Sequence, residues 1–342
     1  MLARVFHHWE RRLAAVTTDR TEHPFDWGLE WLGATDGHGD LRAGAQLERL
    51  ADEAVGQSDD FFAHEPCDDY TLTGDRLAFP SAIRTPHREN NLVRARLFPA
   101  RTRESRARAV LVLPQWNADA DGHVGLCRLL TRFGITALRL TLPYHEDRRP
   151  PELRRADYIV SANLGRTLQV CRQAVLDARR AIAWLAREGY QSIGILGTSL
   201  GSCLSMLTAA HEPLVRAAAL NHISPFFADV VWTGLSTEHV RRTLDGRVDL
   251  DRLRRIWMPI SPFPYLERLR GRRVLLVYAR YDLTFPVPLS RLLVDEFTKR
   301  GVEHELAVLP CGHYSTGFTP FKWVDGLTLC RFLARSLAVP RD

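Results

Sequence analysis

The first chemically informative feature is the pentapeptide GTSLG at residues 197–201, which has the pattern Gly-x-Ser-x-Gly. It follows the apolar run 192–196 and precedes a helix-like stretch, so the serine stands in a strand–turn–helix context. Small residues on both sides permit the sharp turn that exposes such a serine hydroxyl. Ser199 is therefore a candidate nucleophile. The alternative is a glycine-bounded helix start with Ser199 in its first turn.

A serine hydroxyl becomes a good nucleophile when a histidine takes its proton and a carboxylate orients that histidine. Asp282 follows the apolar run 273–279, and His313 follows the run 305–309. Each candidate thus stands just past the carboxyl end of a predicted strand, where open α/β sheets place their ligand sites. Asp282 as a helix N-cap and His313 as a capping loop histidine are structural alternatives, but they do not explain the shared order. The sequence predicts a catalytic triad of Ser199, Asp282 and His313.

Three segments, GTSLG, RYDLTFP with Asp282 and CGH with His313, make the chain from about residue 77 onward resemble the α/β-hydrolase superfamily. The resemblance implies an α/β fold with a mostly parallel, eight-stranded sheet and helices on both faces. It also implies a nucleophile after the fifth strand and an acid after the seventh. The stretch PYHEDRRPP at residues 143–151 and a long insertion near residue 226 resemble a poorly characterised branch of α/β-hydrolase-domain proteins. That further resemblance implies no activity.

The resemblance also implies an oxyanion hole made by two main-chain N–H groups. One comes from the loop after the strand 109–113, and the other from the residue after the nucleophile. The loop reads PQWN and departs from the His-Gly pattern common in the family. We assign Trp116, or its neighbour Gln115, as the first donor and Leu200 as the second. The side chains of Gln115 and Asn117 could also reach the oxyanion, or only order the loop.

The elements that would position these residues alternate between helix and strand, which predicts a parallel sheet. With 342 residues, one large catalytic domain is expected. We predict an N-terminal helical extension over residues 1–76 and the catalytic domain over 77–342, opened by an antiparallel hairpin of 77–84 and 91–98. Residues 226–270 exceed the single helix that the bare fold needs there and are predicted to form a helical lid.

Some aromatic residues of these insertions are candidates for substrate binding. Phe226 and Trp232 of the lid could line an acyl pocket, since ligand sites are mainly apolar, although lid aromatics more often pack on the domain beneath. Tyr144 is expected near the carboxyl-terminal rim of the sheet, where it could contact substrate. An equally good interpretation is a plain loop ordered by proline residues and salt bridges.

Composition excludes several classes of function. The chain is 45% hydrophobic and 25% charged, and its formal charge of +6 comes almost entirely from arginine, since Lys299 and Lys322 are the only lysines. The densest basic patch, residues 101–108, reads as a solvated turn and lacks the interleaved aromatics that stack on bases, so no nucleic-acid partner is expected. Neither an HExxH or CxxC metal motif nor a glycine-rich phosphate loop is present. We therefore expect no metal and no cofactor.

The N-terminus has no continuous apolar core and no small-residue cleavage site, so a secretory signal is not expected. No stretch approaches the roughly 20 apolar residues of a membrane-spanning helix, which argues against stable membrane insertion. The six cysteines are scattered without a CxxC pair and are expected to be free thiols in a reducing compartment. A cytoplasmic location follows as a prediction. The oligomeric state is left open.

Taken together, these residues predict a cofactor-independent serine hydrolase that acts on a small-molecule acyl substrate through an acyl-enzyme on Ser199. An ester is the first expectation for the bond; amide, thioester and carbon–carbon bonds stay open. Two alternatives remain at this point. One is a non-catalytic binding or scaffold protein that retains the fold, and the other is an acyltransferase that uses the same triad with an alcohol in place of water.

Overall fold

A nine-stranded sheet forms the centre of the computed structural model, which describes residues 1–34, 40–100 and 107–338. The strands lie in the order β1-β2-β3-β5-β4-β6-β7-β8-β9. Their bounds are β1 Thr71–Thr73, β2 Arg76–Pro80, β3 Leu92–Phe98, β4 Arg108–Leu113, β5 Thr136–Leu140, β6 Ser192–Thr198, β7 Val215–Asn221, β8 Arg273–Ala279 and β9 Glu305–Leu309. The α/β fold with a mostly parallel sheet is therefore as predicted.

The amino-terminal edge of the sheet is antiparallel, and the rest is parallel. Strands β1, β2 and β3 pair antiparallel in sequence, and β3 pairs antiparallel with β5. From β5 through β9 every neighbouring pair is parallel. The sheet has one strand more than the expected eight. The additional strand, β1, is a fully exposed Thr-Leu-Thr segment, too short to give a signal in the hydrophobic pattern, and it precedes residue 77.

Helices cover both faces of the sheet. Their bounds are α1 Leu2–Ala15, α2 Asp40–Gly56, α3 Ser58–Phe61, α4 Val124–Arg132, α5 Leu164–Arg187, α6 Leu200–His211, α7 Phe227–Thr233, α8 Glu238–Leu244, α9 Leu250–Ile256, α10 Val287–Lys299 and α11 Phe321–Ser336. Successive side chains of a strand point to opposite faces. In β4, Leu111 joins the core formed with α5 and α6, whereas Val110 and Val112 join the core formed with α4 and α11.

Residues 226–270 lie between β7 and β8 and contain α7, α8 and α9 with short 3₁₀ turns. Many of their apolar side chains belong to the main core. Trp257 is fully buried, and its indole N–H donates to the main-chain oxygen of Leu164 at 3.1 Å. The segment predicted as a lid is thus helical and is anchored in the main core.

The N-terminal residues also pack onto this assembly. Helix α2 packs against α9, where Arg252 and Arg255 form ion pairs with Glu48 and Asp52. Of the basic patch predicted at 101–108, residues 101–106 lie outside the described part of the chain. Among the helices of residues 1–34, 40–100 and 107–338, none combines the length and the apolarity needed to cross a lipid bilayer.

Candidate active site

Ser199 occupies the turn between β6 and α6. Its backbone has φ 58° and ψ −121°, a conformation that the β-carbon of an L-residue disfavours, and its side chain does not cap the helix. Gly201 permits the turn, because a β-carbon there would collide with the main-chain oxygens of Leu113 and Pro114. The alternative of Ser199 as an ordinary capping residue is therefore not what the structure contains. The hydroxyl is instead presented by a strained turn.

Hydrogen bonds fix this turn to the neighbouring strand ends. The Ser199 main-chain N–H donates to the Asn221 oxygen at 2.8 Å, and the His222 N–H donates to the Val277 oxygen at 2.9 Å. The hydroxyl of Ser202 lies 2.7 Å from the main-chain oxygens of both Ser199 and His222. The carboxyl ends of β6, β7 and β8 are thus held together at one edge of the sheet.

Asp282 follows β8 and accepts four hydrogen bonds. Its Oδ1 accepts from the main-chain N–H groups of Thr284 at 2.8 Å and Phe285 at 2.7 Å. Its Oδ2 lies 3.0 Å from Nδ1 of His313 and 2.8 Å from Nδ1 of His222. Since a carboxylate only accepts, both imidazoles carry their proton on Nδ1, which leaves each Nε2 with a lone pair when the ring is neutral.

The electrostatics of this cluster favour a charged carboxylate. Burial alone would raise the pKa of Asp282, but His313 and His222 together hold it well below its ordinary value. Burial lowers the pKa of His313, yet the charge and hydrogen bond of Asp282, with a smaller contribution from Glu10, raise it above its ordinary value overall. This environment would stabilise the imidazolium that forms if His313 accepts a proton.

The triad faces a cavity of about 1310 Å³, which is larger than the roughly 300–1,000 Å³ of typical ligand pockets. Both Ser199 and His313 line it. Asp282 lies behind His313 and is buried. In the described part of the chain no hydrogen bond joins the Ser199 hydroxyl to His313. Catalytic hydrogen bonds often tighten only when substrate is bound, so this geometry is compatible with a nucleophile and its base.

The loop after β4 also lines the cavity. The Asn117 N–H donates to Nε2 of His145 at 3.0 Å, and the Ala118 N–H donates to the Gln115 oxygen. Within the described residues, the N–H groups of Gln115 and Trp116 have no partner, and neither has that of Leu200. The donors predicted for an oxyanion hole are therefore free, and the choice between Gln115 and Trp116 stays open.

The side chains of this loop are tied to the segment around residue 156. Asn117 Oδ1 accepts from the Ala156 N–H at 2.8 Å, and the Trp116 indole N–H donates to the Ala156 oxygen at 2.9 Å. Burial lowers the pKa of His145 to about 4, so this ring is neutral and can accept from the loop. The geometry gives Asn117 a partner within the protein and favours its role in ordering the loop. Gln115 also lines the cavity.

Of the other side chains predicted to contact substrate, only some line the cavity. Phe226 lines the cavity, whereas Tyr144 and Trp232 do not. Tyr144 is fully buried, and its hydroxyl lies 3.0 Å from Nδ1 of His87. Trp232 of α7 has the Arg241 guanidinium 4.0 Å above its ring. The expectation that these two side chains reach substrate does not match their positions, because packing turned both away from the cavity.

Two side chains at the site escaped the sequence reasoning. His222 directly follows β7 and therefore stands at the same sheet edge as the triad, but no motif in the sequence marks it. Asp325 of α11 lines the cavity and accepts a hydrogen bond from Asn221 at 2.9 Å. Burial raises the pKa of Asp325 to about 6 against the opposing influence of His222 and Asn221. No periodic or motif signal in α11 pointed to this residue.

The same cluster offers the best place for a metal ion within the described residues. Ligand atoms of His222, Asp282 and His313 lie within 4.8 Å of one another. A metal held by both Nδ1 atoms would displace their protons and break the two hydrogen bonds to Asp282. These three side chains could therefore bind a metal or take part in proton transfer. The hydrogen bonds of both histidines to Asp282 correspond to proton transfer.

Comparisons with known proteins bear on this assembly. A family model described as "Alpha/beta hydrolase domain containing 18" matches residues 85–243, just under half of the chain, including the PYHEDRRPP stretch and Ser199. A search of curated proteins finds no match.

Solved structures with the same fold include hydrolases of several kinds. Acetyl xylan esterase from a Paenibacillus species matches with a TM-score of 0.61 and 15% identity, over 95% of this chain and 99% of the other. Acetyl xylan esterase 1 from a Thermoanaerobacterium species matches at 0.60 and 14%, over 84% and 94%. Acylaminoacyl peptidase from Pyrococcus horikoshii matches at 0.61 and 13%, over 83% of this chain but only 44% of the peptidase, so the chain spans less than half of that relative's length. Such identities establish the fold alone, and the family match adds a likeness to an α/β-hydrolase domain over residues 85–243.

Proposed function

We propose that the protein is a serine hydrolase that cleaves carboxylic esters through an acyl-enzyme on Ser199. The observation that carries this proposal is the hydrogen-bonded pair of Asp282 and His313 facing the same cavity as the strained turn of Ser199. A binding protein that merely retained the fold would have no need of a buried carboxylate aligned on a cavity-facing histidine. The free N–H groups of Leu200 and of Gln115 or Trp116 add the matching donors for an oxyanion.

In this mechanism Ser199 Oγ attacks the ester carbonyl while its proton moves to Nε2 of His313. The carbonyl π electrons move to the oxygen, which the main-chain N–H groups stabilise. Asp282 holds the Nδ1 proton of His313 and stabilises the imidazolium. Collapse of the tetrahedral intermediate breaks the bond to the alcohol, which leaves with the proton from His313. Water repeats the sequence in the second half and releases the acid and free Ser199. These steps need no cofactor.

The substrate proposed is a small-molecule acyl ester. One wall of the cavity consists of apolar side chains of α7 and the residue before it, namely Phe226, Phe227, Val230 and Val231. Such a wall suits an acyl chain, since burial of apolar surface drives binding. Arg155 also lines the cavity, but its charge is compensated by an ion pair with Asp19 at 2.9 Å.

A fluorophosphonate probe and a series of p-nitrophenyl esters of graded chain length test the proposal together. We expect covalent labelling at Ser199, ester hydrolysis, and loss of both in Ser199→Ala. Ser205→Ala is the matched control, because Ser205 lies on α6, directly after the Ser199 turn, whereas its hydroxyl does not line the cavity and has no partner among the described residues. A label mapped to another serine, or no label in a folded protein, contradicts the proposal and favours a binding or scaffold protein.

An acyltransferase with the same triad is separated from a hydrolase by product analysis with and without added alcohol. Transfer to the alcohol in preference to water supports the transferase. We also propose a cytoplasmic enzyme without a nucleic-acid partner. The six cysteines, all within the described residues, are free thiols and five of them are buried, which suits a reducing compartment.

A further inference from the structure

Glu10 of the N-terminal helix is a buried carboxylate at the back of the catalytic histidine loop. Its side chain is fully buried although it belongs to the first helix of the chain. Within the described residues no arginine, lysine or histidine forms an ion pair with it. Burying a charge without a partner is costly, so a buried carboxylate needs hydrogen-bond donors in place of water. Those donors show which part of the protein Glu10 holds.

The partners of Glu10 are main-chain N–H groups directly after His313. Oε2 accepts from the Tyr314 N–H at 2.8 Å, and Oε1 accepts from the Ser315 N–H at 2.9 Å. On the other side of His313, a β-carbon at Gly312 would collide with Cδ and Cγ of Glu10. The glycine of the CGH segment therefore lets the loop lie against this carboxylate, which touches the chain both before and after the histidine.

Other residues of α1 pack on the loop that holds His313 and on the loop that holds Asp282. Phe6 stacks on Tyr281, the neighbour of Asp282, with ring centroids 4.5 Å apart and an interplanar angle of 10°. Trp9 packs beside Phe318 at 5.5 Å. The helix therefore bridges the loop of the acid and the loop of the base, and Glu10 is its hydrogen-bonding contact with the second.

We propose that Glu10 is a positioning residue that holds the His313 loop in its catalytic geometry, so that the N-terminal helix is part of the active site. This inference rests on the proposed function of His313 as the general base. Glu10 does not line the cavity, so it acts through the loop rather than on substrate.

The carboxylate also acts on His313 by its charge. The charged and titratable groups around His313 are Asp282 after β8, His222 after β7 and Glu10 on α1, with Asp325 on α11 facing His222 and Arg20 close to the Tyr314 hydroxyl. A negative charge favours the imidazolium, so Glu10 raises the pKa of His313. Removing that charge must lower it. The neutral ring is the base, and the rise of activity with pH then moves to lower pH.

Glu10→Gln tests both effects. The variant keeps the shape but replaces one acceptor by an NH₂ group that faces a main-chain donor. We expect kcat to fall about tenfold to a hundredfold, as for a small misplacement of a catalytic group, with KM nearly unchanged. The pH profile of kcat/KM should move to lower pH. Glu10→Asp keeps the charge but shortens the reach, so it should lower kcat without moving the pH profile toward lower pH. Arg11→Ala, at an exposed position on the same helix, is the control and should behave like the parent.

Two measurements on the full-length protein decide the matter independently of turnover. NMR titration of His313 should give a lower pKa in Glu10→Gln than in the parent, and an unchanged pKa overturns the proposal. Hydrogen exchange of the parent should show slow exchange at Tyr314 and Ser315; fast exchange there overturns it even if neither variant folds. An active parent with unchanged kcat in a folded Glu10→Gln also overturns it. If the parent protein is not labelled by the phosphonate, the proposed function is wrong. The His313 titration and the hydrogen exchange then still test whether Glu10 positions the loop.

Discussion

The two halves of the site are built differently. One half consists of residues at the carboxyl ends of adjacent strands, where Ser199, His222, Asp282 and His313 follow β6, β7, β8 and β9. The other half consists of segments that cover this edge, from residues 16–20, 115–117 and 226–237. Strand ends bring their residues together wherever the sheet forms, whereas the covering segments depend on how each packs. The difference suggests that chemistry resides in the first half and selectivity in the second.

The largest effect is expected at Ser199, in the half of the site that consists of strand ends. Ser199→Ala removes the nucleophile and should lower kcat on the order of 10⁶-fold, as for a serine protease. Ester hydrolysis and phosphonate labelling measure the loss, and circular dichroism checks the fold. Residual turnover within a hundredfold of the parent would place the nucleophile elsewhere.

The second-largest loss of activity is expected for Asp282→Asn. The amide would turn a donor toward an Nδ1 proton, so kcat should fall by roughly 10⁴-fold while KM changes little. The acid and base act as one unit, and Asp282→Asn combined with His313→Ala should cost little more than His313→Ala alone. Additive losses in this double mutant would show that the two side chains do not work together. A loss of only a few-fold for Asp282→Asn alone would move the search to Asp295 or Glu305.

The pH dependence follows from the same pair. The pKa of Asp282 is lowered, so this carboxylate stays charged across the working range. In the proposed mechanism the neutral form of His313 is the base. Its pKa is raised, so kcat/KM of the parent should rise with pH through a value above the ordinary histidine pKa of about 6.5. A profile that rises well below that value contradicts the charge compensation at this edge.

The sequence predicts the positions of the strand-end residues better than those of the covering segments. The order of Ser199, Asp282 and His313 after apolar runs was sufficient to place them at one sheet edge, since parallel strands share that edge. The direction of a side chain on a short helix or loop is not encoded in its own neighbours. Trp232 and Val231 are adjacent in α7, yet only Val231 lines the cavity. Tyr144 turned inward because His87, distant in sequence, offers its hydroxyl a partner.

His222 tests whether the strand-end half contains a fourth functional group. Its hydrogen bond to Asp282 competes with that of His313 for the same oxygen. Loss of one hydrogen bond to a charged group corresponds to about a 10- to 100-fold fall in kcat for His222→Ala. Asp282 would then interact more strongly with His313, and the pH profile should move to higher pH. His304→Ala, at a half-buried site near the surface, is the control. Unchanged kcat and pH profile would assign His222 to packing alone.

The smallest effect is expected in the covering half, where a residue that lines the cavity can be compared with one that does not. Phe226→Ala removes a ring from the apolar wall, so the relative kcat/KM for long over short esters should increase about threefold to tenfold, within the range for a few methylenes of space. The rate of phosphonate labelling at Ser199 should stay close to that of the parent. Trp232→Ala removes a similar apolar side chain that packs under Arg241 outside the cavity, and it should leave the ester preference unchanged even where it lowers stability.

These point substitutions are more informative than removal of residues 226–270, because that segment contributes fully buried core residues such as Trp257. Equal shifts in preference for the two variants would mean that the wall responds to the packing of α7 as a whole, and selectivity could not then be assigned to the residues that touch the cavity.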